Sequence, residues 1–178
     1  MKAIYFLAIA ISLLLFSCNS KPSIQKYFVD NQEKPGFMVV DISPSILNLN
    51  KTKLTLEQTK ALASFHKMNI LAYKYDPKNK NQFDVERKKV TEILKDTVAY
   101  QQLMKFGNGK DGASISYIGD DEHIDEFILY GSKSDNGFAV VRILGKDMNP
   151  ADAMTMLSVL KNSNLDMKQL ESLKGLMK

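Results

Sequence analysis

The densest group of side chains able to do chemistry is Asp120-Asp121-Glu122-His123, with Asp125 and Glu126 close behind. Carboxylate oxygens suit Ca²⁺, and an imidazole beside them suits a transition metal. The run falls between two expected strands, where acidic residues are ordinary turn material, so no metal is assigned to it. Asp76 to Asp84 also sets oxygen-bearing side chains in a row. Their spacing is wrong for a calcium loop, the turn glycine is missing and lysines intervene. The two histidines, His66 and His123, are far apart in the chain. No serine stands in a nucleophile turn. Met148, Met154 and Met156 offer thioethers, which suit Cu(I), but at helical spacing they read as core filling. Gly107-Asn108-Gly109-Lys110-Asp111-Gly112 leads into a strand, whereas a phosphate cradle needs a helix N-terminus. The expectation is no catalytic residue, no cofactor and no metal.

The one remaining reactive group is Cys18, the single cysteine. Before it, Ala3 to Phe16 reads AIYFLAIAISLLLF without a charge, behind the single positive Lys2. That run is short of the roughly twenty residues a membrane-crossing helix needs. A short positive region, a short apolar region and a small residue at the break make a secretory signal peptide. Leu15-Phe16-Ser17-Cys18 resembles the lipobox of bacterial lipoproteins, with Phe16 bulkier than the usual occupant. The resemblance implies cleavage between Ser17 and Cys18, a diacylglyceryl thioether on Cys18 and acylation of its new amine. Two or more chains anchor stably where one holds weakly. In some bacterial lipoproteins, acidic residues soon after the cysteine resemble a surface-export signal. Here Asn19-Ser20-Lys21-Pro22 follow and the first acid is Asp30. That favours the periplasmic face of the outer membrane.

Apolar residues make up 44% and charged residues 25%, as in an ordinary globular domain. Lysine and arginine exceed the acids by 24 to 20, too mild an excess to argue for nucleic acid. The expected organisation is a signal peptide over 1–17, a tether over 18–22, a domain over 23–160 and a helical extension over 161–178.

The elements that would position these groups follow from local signals. Ser23 caps a short helix, and Phe37 to Ile42 is a strand. Ser43-Pro44 would start one further helical turn. Thr55 and Gln58 form a capping box for a helix with Leu62, Phe65 and Met68 at helical spacing. Ile70 to Tyr75 is a second strand, and Asp76 to Gln82 a solvated loop. Asp84 caps a third helix with Val90, Ile93 and Leu94 on one stripe. Strands then follow over Tyr100–Phe106, Ala113–Ile118, Glu126–Tyr130 and Phe138–Leu144, with Ser134-Asp135-Asn136-Gly137 as a turn. Asn149 caps a further helix that has Pro150 in its first position, and a last helix starts near Asp166.

Hairpin-linked strands cannot all be parallel, because parallel neighbours need long crossovers. The expected class is α+β, with a largely antiparallel sheet of about five or six strands and helices packed mainly on one face. Alternation puts Ala113, Ile115 and Tyr117 on one face, with Ser114 and Ser116 on the other. Arg142 likewise opposes Ala139, Val141 and Ile143. Ser114, Ser116 and Arg142 therefore mark a partly solvated sheet face as a candidate binding surface.

Several segments resemble domain-of-unknown-function family 4252, secreted proteins and lipoproteins of Bacteroidota. They are IQKYF before FMVVDIS, YQQLMKF, and above all IDEFILYGSKSDNGFAVVRILGKDM, over roughly residues 23 to 160. The resemblance implies an α+β domain in the bacterial envelope and brings no catalytic residues. The expected function is a lipid-anchored envelope protein, held to the membrane by the chains on Cys18, whose domain binds an envelope partner without catalysis. The alternatives are a small envelope hydrolase or a carrier of an apolar ligand.

Overall fold

Ten elements and one short 3-10 turn make up the domain in a computed structural model that describes residues 21–43, 54–108 and 110–162. In chain order they are α1 (Ile24–Asn31), β1 (Phe37–Ile42), α2 (Leu56–Ser64), β2 (Phe65–Lys74), the turn Pro77–Asn79 and α3 (Lys80–Ile93). β3 (Gln101–Asn108), β4 (Asp111–Gly119), β5 (Ile124–Lys133), β6 (Gly137–Met148) and α4 (Pro150–Asn162) complete the fold. The strands form one six-stranded sheet in the order β1-β2-β6-β5-β4-β3, and every neighbouring pair is antiparallel. The α+β class and the antiparallel sheet agree with the sequence expectation.

Three of the expected caps are in place. Ser23 accepts from the Lys26 N–H at 3.1 Å. Thr55 and Gln58 satisfy each other's backbone N–H groups at 3.2 and 3.0 Å. The Asn149 side chain accepts from Ala151 and Asp152, and the Asp152 carboxylate returns to the Asn149 N–H at 2.8 Å. Each such cap is worth about 1 kcal/mol.

Two boundaries differ from expectation, for physical reasons. Phe65 and Met68 belong to β2, not to the helix before it. The register with β6 shifts between Phe65 and Lys67, so one extra residue bulges there. A bulge lets residues three apart face the same side of a sheet, which imitates helical spacing. The third helix begins at Lys80, not at Asp84, and the segment expected to be a loop is largely helical. Asp76 supplies the first cap, accepting from the Lys78 N–H at 2.9 Å, with Pro77 pre-set for a helical turn. The helical turn expected at Ser43-Pro44 falls mostly outside the described residues, as does the helix from Asp166.

Alternation along the strands separates two apolar layers. Phe127 and Ile128 are neighbours, both fully buried, and belong to different layers. One layer joins Leu71, Tyr73, Ile128, Phe138 and Val140 to Ile24, Tyr27 and Phe28 of α1 and Phe83 and Val90 of α3. The other joins Met68, Ile115, Tyr117, Phe127 and Ile143 to Ala61 of α2 and Met156 of α4. Burying a side chain of this size contributes about 1.5–3 kcal/mol. Among the described residues, no helix is long and apolar enough to cross a membrane.

Candidate functional site

The features with most chemical character gather where α1 and α3 meet the sheet. Three polar contacts hold α1 there. The Tyr100 hydroxyl accepts from the Ile24 N–H at 2.9 Å, satisfying a donor that the helix start leaves free. The Tyr27 hydroxyl donates to Glu86 of α3 at 2.9 Å. The Arg142 guanidinium lies 5.6 Å from the centre of the Phe28 ring.

Glu86 is only 2% exposed, and its carboxylate is well supplied with donors. Gln82 reaches it at 2.8 Å and Lys89 at 2.8 Å, in addition to Tyr27. Burial, and then the Glu86 carboxylate beside it, pushes the Tyr27 hydroxyl far above the ordinary tyrosine range. Tyr27 therefore stays a protonated donor. Burial likewise raises Tyr100, Tyr73 and Tyr130.

Arg142 of β6 forms a two-pronged ion pair with Glu126 of β5, at 2.6 and 2.9 Å. Glu126 sits opposite Leu144 and Arg142 opposite Ile128, so the pair runs diagonally between the two strands on one face. Both residues are buried. The register continues from Arg142 through Ile128 to Ser116. Ser116 is buried too, while Ser114 is half-buried opposite Tyr130. The structure thus brings Ser114, Ser116 and Arg142 to one face, as alternation indicates. It places Ser116 and Arg142 in the interior, within the layer that α1 and α3 complete.

Outside this layer α1 and α3 leave an open groove of about 770 Å³. Tyr27 lies at its floor, Pro22, Val85 and Ile93 give it apolar walls, and Lys26 and Lys88 are among its charged residues. These residues escape a reading of the sequence alone. Phe83, Glu86 and Val90 follow one another at helical spacing, and a helix begun at Asp84 leaves Phe83 outside the stripe. Extending that stripe back to Phe83 would have marked Glu86 as a buried carboxylate.

The other candidates have local structural roles. Asp120 accepts from the N–H groups of Glu122 and His123 at 3.0 and 2.7 Å, which holds its carboxyl below the usual range. Asp121 takes a hydrogen bond from the Tyr117 hydroxyl. Among the described residues, no three His, Cys, Asp or Glu side chains are grouped to hold a metal ion. His66 is exposed on β2. Met148 and Met156 are buried in the apolar layer, while Met154 is half-exposed. Gly107 takes a positive φ of 73° before the β3–β4 turn, where a side chain would strike the backbone of Asp111. Ser17 and Cys18, the expected cleavage and lipid-attachment positions, lie outside the described residues.

No curated protein and no solved structure matches the chain. A family model does, over residues 27–156, from within α1 to the middle of α4. The stretch takes in all six strands of the sheet together with Tyr27, Glu86, Glu126 and Arg142. The chain belongs to the family described as Domain of unknown function (DUF4252).

Proposed function

We propose that this chain is a lipid-anchored protein of the bacterial envelope whose domain acts by binding rather than catalysis. The observation that carries this is the sequence Leu15-Phe16-Ser17-Cys18 at the end of a short apolar leader. A diacylglyceryl thioether on Cys18 and an acyl group on its amine supply the two or more chains that stable anchoring needs. The described fold supports the reading by starting close behind, with Ser23 capping α1 five residues after Cys18. The absence of acids between Cys18 and Asp30 favours the periplasmic face of the outer membrane.

Growth with a radiolabelled fatty acid tests the anchor. Label should enter the wild-type chain and be lost in Cys18→Ala; equal label in both would contradict the reading. Protease treatment of intact cells tests the side of the membrane: the domain should survive, and its digestion would place it on the cell surface. Cross-linking in membranes followed by capture of the tagged chain should recover an envelope partner in stoichiometric yield.

A further inference from the structure

The groove between α1 and α3 has an occupant that its position and charge select. The Tyr27–Glu86 hydrogen bond joins α1 to α3, and the Ile24 N–H at the start of α1 bonds Tyr100, beyond the end of α3; Ile93 and Asp96 line the groove there. Lys21 and Pro22, at that end, line the groove. Lys21 is three positions after Cys18 in the sequence, a span of at most about 10 Å when extended. With Cys18 lipidated, the groove's near end is thus held at the depth of the headgroups.

The groove offers such a surface both charge and apolar contact. Lys26, Lys88 and Lys89 line its middle, and the last is bonded to the buried Glu86. Lys26 and Lys88 make no salt bridge among the described residues. Of the acids that share the groove, Glu92 is paired with Lys95 at 2.7 Å, and Asp96 accepts from the Val98 and Ala99 N–H groups. Asp30 lies one helical turn beyond Lys26, away from the tether. Val85, a large apolar residue on this wall, is 49% exposed. Lysines with apolar side chains between them suit the boundary of headgroup and acyl chain. The tether also makes this second contact intramolecular, so weak individual contacts suffice.

We propose that this groove seats anionic phospholipid of the membrane that carries the anchor, with Lys26, Lys88 and Lys89 on the phosphates and Val85 and Pro22 against the first acyl carbons. The domain then lies against the bilayer by its α1–α3 side. This rests on the anchoring at Cys18 proposed above.

The test uses the full chain purified from membranes and reconstituted in two kinds of vesicle. One is phosphatidylcholine alone, and the other is phosphatidylcholine and phosphatidylglycerol in equal parts. Amine acetylation is followed lysine by lysine by mass spectrometry. In the anionic vesicles Lys26 and Lys88 should react at least about fivefold more slowly, the effect of one lysine at an anionic surface. Lys105 and Lys133, on other elements, should react alike in both. High salt should abolish the difference. In Lys26→Glu/Lys88→Glu, whose changes are at exposed positions, Lys89 should lose its protection. Equal rates at Lys26 and Lys88 in the two vesicles would overturn the proposal, as would protection that persists in phosphatidylcholine alone. The same digest reports the mass of the N-terminal peptide. An unlipidated Cys18 contradicts the anchor, whereas equal rates with a lipidated Cys18 contradict the groove.

Discussion

The two sides of the sheet are built differently. The layer shared with α2 and α4 is dry: Met68, Ile115, Phe127, Ile143, Met148 and Met156 fill it, and Tyr117 sends its hydroxyl out to Gln101 and Asp121 at the rim. The layer shared with α1 and α3 is aromatic and holds buried charge. Tyr73 and Phe138 stack at 5.6 Å, Phe37 meets Tyr73 edge-on at 4.7 Å, and Glu86, Glu126 and Arg142 lie among them. Asn69 and Ser116 are buried on the same side. Apolar burial is non-directional and tolerates sliding, whereas a buried carboxylate accepts only positions that satisfy it. The dry layer supplies area. The charged layer sets where α1 and α3 sit, and with them the groove.

The sharpest way to break this comparison is Arg142→Met. It leaves the Glu126 carboxylate buried without its partner, which should cost about 3–5 kcal/mol in urea unfolding. Arg142→Met combined with Glu126→Leu should recover most of that loss, because a packed apolar pair of similar volume is often as stable as a buried ion pair. If the double variant is as unstable as the single one, the ion pair holds more than its own charges. In the dry layer, Phe127→Ala should cost a similar 3–5 kcal/mol through its cavity. There, no polar second change should rescue it.

Tyr27→Phe should cost less, about 1–3 kcal/mol, by removing one donor from Glu86. The same position gives the charged layer a pH signature. A tyrosine whose folded pKa is raised stabilises the fold fully below its unfolded pKa. That stability is lost as the pH rises above it, because only the unfolded chain ionises. Melting temperature should therefore fall as the pH climbs past about 10, and less steeply in Tyr27→Phe. An unchanged slope would remove Tyr27 from the account. The smallest effect belongs to the dry side. Thr55→Ala should cost about 1 kcal/mol through its capping box, without altering the alkaline slope.

How much of this the sequence shows depends on the range of each interaction. Hairpins and caps are local, so the strands from Gln101 to Met148 and the caps at Ser23, Thr55 and Asn149 can be read directly. The bulge near Phe65 cannot, because its extra residue is defined only by pairing with Gly145 and Leu144 on β6. Nor can the groove, since α1 and α3 are joined by Tyr27 and Glu86, 59 residues apart. Alternation alone places Ser114, Ser116 and Arg142 on one face. Whether that face is open depends on helices from elsewhere in the chain, and here Ser116 and Arg142 are buried, with Arg142 against Phe28 of α1. The role proposed for Cys18 rests on a different kind of signal, a short linear sequence that needs no fold to be read.

Mass spectrometry of the N-terminal peptide, on chain extracted from membranes, tests the central proposal most directly. The account predicts Cys18 as the first residue, carrying a diacylglyceryl thioether and an acylated amine. A free Cys18 thiol, or a chain that retains Ser17, would contradict it.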